Sequence, residues 1–557
     1  MSRSEDGIPG QSRPAITALL VVVTSLVIAG AAFPAGGTAT EVDGWDLEGV
    51  EVDEELEDAL TEARENGERV EVVVRLEEID DPEDHEELEA HAEGSQEDLI
   101  ELAESREAVT VVAEFWLTNA VLLEVDPDAV DPAEFGDIEE IQELHGNFEV
   151  PPPEPVETLT DDGSEVETLT DDGSEVETLT DDGSEVETTE GLAAIGAPTV
   201  WETYGTTGEG VRVAVLDTGV DADHPDISLH TDDHDDPTYP GGWAEFDATG
   251  ERVDGSTPHD TASHGTHVSG TVAGGAESGR HVGVAPGAEL AHGLVLTEDG
   301  GTFAQILAGM EWAVETDSDV VSASFGVEGT VGAFVDPVRN ARAAEVTVVG
   351  AIGNAGAGNS SSPGNLHDVV SVGAVDGNDR VPEFSGGGDL ERASFAGAPE
   401  EWPETYVVPD VVAPGVGVVS TVPGGEYGSK PGTSMATPHV SGTVALMLSV
   451  EDGQRPADVE TTLAETARSP AGAPEGKDAR YGHGVVDAAA AVEAVESART
   501  STANASDGTD ETDGQSSEPG PTDGDAIEPA ADGSPLGVVA TLAALVGVGV
   551  WLAVRRR

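Results

Sequence analysis

Mostly apolar runs, each followed at once by polar or small residues, organise the middle of this chain. Val211 to Leu216 is rich in valine and is followed by Asp217, and Val346 to Ile352 is followed by Gly353 and Asn354. Runs of this kind are typical of strands buried on both faces of a parallel sheet. Because such sheets bind ligands beyond the carboxyl ends of their strands, the pattern predicts an α/β domain with a functional site near Asp217 and Asn354.

Two helices are predicted to join these strands. One begins at His264 and continues to Ala273, and the other covers Met435 to Leu448, directly after Ser434. Pro438 is compatible with the first turn of the second helix. Both His264 and Ser434 are therefore expected at helix N-termini.

A smaller set of elements is predicted nearer the N-terminus. Arg69 to Leu76 and Phe115 to Val125 have the composition of strands, and Pro82 to Arg106 that of an acidic helix with a break at Gly94 and Ser95. Strands and helices that alternate in this way predict a small α+β domain.

Each end of the chain carries an apolar segment beside arginines. Ala15 to Phe33 follows Arg3 and Arg13, as in a secretory signal peptide. Retention of this stretch as an anchor is the alternative. Leu536 to Val554 is long enough to span a bilayer and precedes Arg555–Arg557, which predicts a membrane helix with a cytoplasmic basic end. The polar stalk, the apolar helix and the arginines together also resemble an archaeal sorting signal, from which the helix would be removed. We expect the helix to be retained.

Two further segments are too polar to bury a core. The decapeptide Val-Glu-Thr-Leu-Thr-Asp-Asp-Gly-Ser-Glu occurs three times over residues 156–185 and lacks the spacing of a calcium loop. We expect it to be a disordered acidic spacer. Ser501 to Ser534 is predicted to be a disordered stalk, and Asn504 and Asn359 are glycosylation acceptors by pattern.

Three motifs carry the candidate chemistry: Asp217-Thr-Gly, His264-Gly-Thr-His and the octapeptide from Gly432 to His439. A carboxylate, an imidazole and a hydroxyl in this chain order match one known order of a serine-protease triad. A lone Asp-Thr-Gly leaves open a dimeric aspartic protease, which would not explain the other two motifs. His264 and His267 could suggest zinc, but without His-Glu-x-x-His or cysteine we expect His267 to be a packed, hydrogen-bonded residue.

On these motifs, residues 191–498 resemble the catalytic domain of the subtilisin family, the subtilases. The resemblance implies a doubly wound parallel sheet with helices on both faces. It implies Ser434 as nucleophile, His264 as general base and then acid, and Asp217 as the carboxylate that orients His264. The oxyanion hole would consist of the Asn354 side chain and the Ser434 amide.

Substrate binding follows from the same resemblance. The segment Asp319–Gly326 is similar to the family strand whose backbone pairs with an extended peptide, with phenylalanine in place of leucine. The segment from Asn354 to Pro363 would form a wall of the first specificity pocket, and its small uncharged residues favour a broad apolar preference. For Asn354 the alternative is a simple turn before Gly356. The expected substrate-binding residues are Ser324, Phe325, Gly326 and Gly353.

No cofactor is required by this chemistry, and no metal ligand is assigned. The family's calcium-binding loop would be rich in asparagine, whereas Gly274 to His281 is not, so calcium is unsupported at the usual loop. Asp221, Asp223, Asp226 and the run from Asp232 to Asp236 offer oxygen ligands. A solvated acidic surface explains them equally.

The charge composition predicts that the protein requires high salt. The chain has 113 acidic and 22 basic residues and a net charge of −91, so it should repel itself in dilute buffer and be screened in molar salt. This resembles an enzyme of a salt-loving, haloarchaeal organism and argues against nucleic acid as a partner. The chain has no cysteine, which excludes disulfides.

The complete prediction is a secreted serine endopeptidase tethered to the outer face of the cell membrane, acting on proteins or peptides. The small domain resembles the subtilase propeptide, an inhibitor removed by self-processing, although a permanent surface-interaction domain is the alternative. A catalytically silent surface-binding protein with the same fold is the rival function. The predicted segments are a signal peptide (1–40), a propeptide domain (41–150), a repeat linker (151–190), the peptidase domain (191–498), a stalk (499–535), a membrane helix (536–554) and a basic tail (555–557).

Overall fold

A computed structural model describes residues 50–507, apart from 80–81, 83–84, 131–134, 137, 139 and 154–186. The predicted signal peptide, the decapeptide repeats, most of the predicted stalk and the segment Leu536 to Val554 lie outside the described residues. Among the helices that are described, none is long and apolar enough to cross a membrane. The described residues up to Thr500 form one compact unit, which contains the candidate site, and a second unit begins at Ser501.

The N-terminal domain is a five-stranded sheet with helices. In chain order its elements are β1 (Glu51–Val52), α1 (Glu54–Asn66), β2 (Val70–Leu76), α2 (His85–Ser95), α3 (Glu97–Glu104), β3 (Val109–Phe115), β4 (Ala120–Val125) and β5 (Ile141–Gly146). The strand order is β1-β5-β2-β4-β3, antiparallel except for β1 with β5. Asp53 caps α1 by accepting the Glu55 and Leu56 amides. The acidic helix is interrupted after Ser95, close to the predicted break.

The strand predicted from Phe115 to Val125 is shorter in the structure: β4 covers Ala120–Val125, whereas Phe115 ends β3 and residues 116–119 form a turn. The chain reverses between β3 and β4 through a turn in which Asn119 has a φ of 40°, a conformation that asparagine tolerates better than most residues. The amides of Trp116 and Leu117 in this turn donate to Glu311, far away in the sequence. A local pattern of apolar residues does not reveal such a distant acceptor.

The remaining elements build the larger domain. After β6 (Glu149–Val150), which ends the N-terminal domain, the first are β7 (Glu187–Thr188), α4 (Glu190–Ala194), α5 (Ala197–Tyr204), β8 (Arg212–Asp217), β9 (Trp243–Glu245), α6 (His264–Ala273), β10 (Arg280–His281), β11 (Glu289–Leu294), β12 (Gly301–Thr302), α7 (Phe303–Glu315), β13 (Val320–Ala323), β14 (Val327–Glu328) and α8 (Val335–Ala343). They are followed by β15 (Thr347–Ala351), β16 (Ser361–Ser362), β17 (Val370–Val375), β18 (Gly388–Glu391), β19 (Thr405–Val408), β20 (Val411–Pro414), β21 (Val418–Val422), β22 (Glu426–Lys430), α9 (Thr433–Val450), α10 (Pro456–Thr466) and α11 (Ala488–Asp507).

A seven-stranded parallel sheet, ordered β20-β17-β15-β13-β8-β11-β9, forms the centre of this domain. Successive residues of β8 face different cores. Val213 and Val215 pack in the core that contains residues of α6 and α9, and Ala214 and Leu216 pack in the core that contains residues of α7 and α8. The predicted parallel α/β sheet is confirmed, and its strands are buried on both faces, which explains their continuous apolar sequence.

The N-terminal domain packs on α7 and α8. Phe115 and Leu122 share one apolar core with Phe303 and Phe334 of the larger domain. Arg75 forms ion pairs with Glu143 of its own domain and with Asp336 of α8. After β5 the chain adds β6 antiparallel to β12, so the end of the N-terminal domain extends along the edge of the larger one.

The last helix continues further than predicted. The stalk was expected from residue 499, but α11 runs to Asp507. The sequence at this point is rich in alanine, and Arg499 pairs with Glu496 one turn earlier at 2.7 Å. Both features favour helix over coil.

Candidate active site

Three adjacent strands bring the candidate residues to one edge of the sheet. Asp217 is the last residue of β8, Ser324 directly follows β13, and Asn354 follows β15 by three residues. These strands are neighbours in the order β8-β13-β15. Because parallel strands end at the same edge, residues far apart in the sequence gather there.

The Asp217 carboxylate is fully buried and bonded to His264. Its Oδ1 accepts a hydrogen bond from the Thr218 amide at 2.7 Å and lies 2.7 Å from His264 Nδ1. Burial would raise the pKa of Asp217, but the charge and hydrogen bond of His264 outweigh burial and the pKa is lowered. Oδ2 is buried with no hydrogen-bond partner among the described residues. Asp217 is thus held as a carboxylate that fixes the His264 ring.

A second carboxylate, Asp260, holds the loop that carries His264. Its Oδ1 accepts from the Thr218 hydroxyl and the Ser263 amide, and its Oδ2 accepts from the Thr266 amide at 2.8 Å. Burial raises the pKa of Asp260. None of the sequence motifs includes Asp260. Its place four residues before the predicted helix is a usable signal, since aspartate often bonds the amides that begin a helix.

The buried ring of His292 supports the other side of the Asp217 turn. Its Nε2 accepts from the Gly219 amide at 3.1 Å, and its Nδ1 lies 2.9 Å from the Ser269 hydroxyl. Burial lowers the pKa of His292 to about 4. Gly219 is required here, because its φ is 107° and a Cβ would lie 2.0 Å from the His259 carbonyl oxygen. No sequence signal identifies His292, which sits within a buried strand.

His264 begins α6 and is nearly buried, with a side chain 12% exposed. Since Nδ1 is bonded to Asp217, Nε2 is the nitrogen left to exchange a proton. His267 one turn later has another role. Its Nε2 lies 2.9 Å from the Val418 carbonyl oxygen, and burial lowers its pKa well below the ordinary value. It is a packed, hydrogen-bonded residue.

Ser434 lies in the first turn of α9, one residue after the helix begins at Thr433. Its hydroxyl donates to the Ser324 carbonyl oxygen at 3.0 Å. In the described structure this bond, and not one to His264, is the hydrogen bond of the Ser434 hydroxyl. A transfer of the hydroxyl proton to His264 would therefore require the hydroxyl to rotate away from Ser324.

Asn354 is oriented by the residue before Ser434. Its Oδ1 accepts from both the amide and the hydroxyl of Thr433 at 3.0 Å, which leaves its Nδ2 as a donor. A Cβ placed on Gly432 would lie 3.7 Å from the Ser434 amide nitrogen and 3.8 Å from Asn354 Nδ2. The Ser434 amide nitrogen and Asn354 Nδ2 thus lie within reach of one point beside Gly432, and two converging donors are what an oxyanion site needs.

The expected substrate-binding residues lie in different surroundings. Ser324 and Phe325 have buried side chains, so only their backbone could meet a peptide. Gly326 and Gly353 pack against Ser361, where a Cβ would lie 2.9 Å and 2.4 Å from its side-chain atoms. Strand β14, directly after Gly326, pairs with β16 (Ser361–Ser362). β16 belongs to the segment from Asn354 to Pro363, which was predicted to form a wall of the first specificity pocket.

Among the acidic residues named as possible calcium ligands, Asp226 is engaged in hydrogen bonds. Its Oδ1 accepts from the Glu277 amide at 2.5 Å, and its Oδ2 accepts from the Tyr427 hydroxyl at 2.6 Å. Among the described residues no group of three or more histidine, aspartate or glutamate side chains could hold a metal ion.

Comparisons with known proteins show the family of this chain. The model of the Subtilase family matches residues 208–484. Subtilisin E from Bacillus subtilis is 36% identical over 310 residues, which cover 54% of this chain and 71% of that protein. Subtilisin Savinase from Lederbergia lenta is 37% identical over 302 residues, covering 54% and 97%. An intracellular serine protease from Paenibacillus polymyxa is 38% identical over 263 residues, covering 46% and 72%. The chain therefore belongs to the subtilase family and is a serine protease that acts on proteins or peptides.

Proposed function

We propose that Ser434, His264 and Asp217 form the catalytic triad of this protease. The observation that carries the proposal is the 2.7 Å contact of His264 Nδ1 with buried Asp217. It leaves His264 Nε2 as the base, at the sheet edge where the Ser434 hydroxyl lies. A serine hydroxyl is a weak nucleophile without such a base.

The reaction then proceeds through an acyl-enzyme. The Ser434 hydroxyl leaves the Ser324 carbonyl oxygen and passes its proton to His264 Nε2 while Oγ attacks the peptide carbonyl carbon. The Ser434 amide and Asn354 Nδ2 stabilise the oxyanion. The tetrahedral intermediate collapses as His264 protonates the leaving amine, and water, deprotonated by His264, releases the acid product and restores Ser434.

The N-terminal domain acts in this proposal as a propeptide that inhibits the protease. Three contacts support it: the pairing of β6 with β12, the bonds from the Trp116 and Leu117 amides to Glu311, and the ion pair of Arg75 with Asp336. The addition of β6 to β12 as an antiparallel strand resembles the way in which an extended peptide pairs with a strand. Release of this domain by the enzyme's own cleavage would activate it.

The enzyme is proposed to be secreted, tethered outside the cell by its C-terminal apolar segment, and adapted to molar salt. Sequence alone supports these points: an apolar segment after Arg3 and Arg13, another before Arg555–Arg557, and a net charge of −91. Calcium is not assigned a role.

Replacement of the nucleophile tests the triad and self-processing together. Ser434→Ala should abolish peptide hydrolysis above the residual level of about 10³- to 10⁴-fold over water, and the protein should accumulate as a precursor that retains the N-terminal domain. The mass of the purified chain shows whether the N-terminal domain is retained. A normally processed Ser434→Ala protein would show that a different protease performs the maturation.

A further inference from the structure

The hydroxyl of Ser324 is buried and points at the first turn of α9. Its Oγ donates to the Ser434 carbonyl oxygen at 2.9 Å, and its own carbonyl oxygen accepts from the Ser434 hydroxyl at 3.0 Å. Ser324 is 0% exposed. The two residues therefore hold each other by two hydrogen bonds between the end of β13 and the first turn of α9.

Pro438 explains why the Ser434 carbonyl accepts a side chain. In an α-helix the amide of residue i bonds to the carbonyl of residue i−4, so the donor for Ser434 would be the amide of residue 438. Proline has no amide hydrogen, and Pro438 lies inside α9. A buried carbonyl without a partner is costly. The Ser324 hydroxyl supplies the donor that Pro438 lacks.

We propose that Ser324 is a positioning residue whose hydroxyl fixes the first turn of α9, and with it Ser434, because Pro438 leaves the Ser434 carbonyl without its helical donor. This inference rests on the proposed function of Ser434. It assigns to the Ser324 side chain a role separate from any contact of its backbone with substrate.

The first turn of α9 carries both groups that the proposed reaction needs from Ser434. The same peptide units carry the nucleophile and one of the two donors that flank the oxyanion space, so a shift of this turn displaces both. A displacement of about 1 Å can cost about a hundredfold in rate. Loss of the Ser324 hydroxyl should therefore slow the chemical step, whereas its backbone, and substrate binding, remain.

Ser322 provides a matched control. It is also 0% exposed and lies on β13, and its hydroxyl bonds with the Ser441 hydroxyl of α9 at 2.9 Å. Ser322→Ala removes one buried hydroxyl between the same strand and helix, two turns away from Ser434. A general loss of packing would affect both variants alike.

The test is a double-mutant cycle on enzyme produced from the full-length chain and assayed in molar salt after release of its N-terminal domain, using a peptide substrate and titration of active sites. Ser324→Ala should lower kcat about ten- to a hundredfold with little change in KM, while Ser322→Ala should change it less than about threefold. Pro438→Ala restores an amide at position 438, so in that background Ser324→Ala should have little further effect on kcat. Equal effects of Ser324→Ala in both backgrounds, an effect on KM alone, or an equal effect of Ser322→Ala would overturn the proposal.

Folding failure is also informative. If Ser324→Ala gives no folded enzyme, adding Pro438→Ala should recover it, and failure to do so contradicts the proposal. The proposed function is judged separately by the unmutated protein. If that protein does not hydrolyse peptides, the triad assignment fails, whereas an active parent without coupling between Ser324 and Pro438 rejects only the positioning role.

Discussion

In the proposed triad, the bond of His264 Nδ1 to Asp217 sets the direction of proton transfer, because it leaves Nε2 to act as the base. Nδ1 lies 2.7 Å from Asp217, whose other bond is to the Thr218 amide. Because Thr218 and the loop before His264 are both tied to Asp260, the carboxylate and the ring are fixed relative to each other. The reactive geometry depends on residues that never touch substrate.

Asp217→Asn should reduce kcat by about 10⁴-fold with little change in KM, because an amide at this position can hold His264 in the wrong tautomer. Steady-state kinetics with a peptide substrate measure the loss. Asp221→Asn, in the nearby acidic loop, is a suitable control and should retain most activity. Activity of Asp217→Asn within tenfold of the parent would contradict the assigned role.

At the scale of elements, helix α7 forms hydrogen bonds with the N-terminal domain through the side chain of Glu311. Glu311 on this helix accepts the Trp116 amide at 2.6 Å and the Leu117 amide at 2.9 Å. Burial is the main influence on this carboxyl and raises its pKa from 4.5 to about 8, although the two amides lower it. Since the bound turn helps to bury Glu311, the docked state favours its protonated form.

The docked N-terminal domain should therefore bind less tightly as pH rises. Between about pH 4.5 and pH 8 the complex holds a proton that an exposed glutamate releases, so affinity falls through this window and levels off above it. We expect inhibition of the mature enzyme by the separate N-terminal domain to weaken about tenfold from pH 7 to pH 9.

Glu311→Gln is the matched control for this prediction. It keeps an acceptor for the two amides but cannot titrate, so its inhibition constant should vary much less with pH. An equal pH dependence in the parent and in Glu311→Gln would exclude Glu311 as its source. His145, whose pKa is lowered to about 4 by burial, titrates below this range.

At this scale the sequence predicts an element when residues close in the chain determine it, and fails when distant residues do. The strand before Asp217 and the helix after His264 follow from apolar patterns a few residues long, and both are confirmed. The turn at Asn119 and the hydroxyl contact of Ser324 depend on Glu311 and Pro438, which lie far away in the chain. The fold class was therefore predictable, whereas these contacts were not.

At the scale of the whole molecule, charge dominates. With 113 acidic and 22 basic residues, repulsion acts against any compact state in dilute buffer. In molar salt the Debye length falls to about 3 Å, so repulsion beyond neighbouring groups is screened. Short ion pairs such as Arg75 with Glu143 at 2.7 Å are then less exposed to competition from distant carboxylates.

Stability and activity should both rise with salt. We expect Tm, measured by circular dichroism, and kcat/KM to be lower in about 0.1 M than in about 3 M potassium chloride, because screening removes net repulsion. Glycerol at the same osmolarity screens no charge, so it should raise Tm and kcat/KM less than potassium chloride does. A Tm that is highest in dilute buffer would contradict salt adaptation.

Covalent labelling tests the central claim, that Ser434 is the nucleophile of a working triad, most directly. A serine-directed phosphonylating reagent should modify one residue, Ser434, and peptide hydrolysis should be lost in proportion to the label found by mass spectrometry. Asp217→Asn should be labelled far more slowly, because His264 no longer serves as base. Absence of labelling would indicate a silent binding protein, and a label on another residue with Ser434 unmodified would contradict the triad.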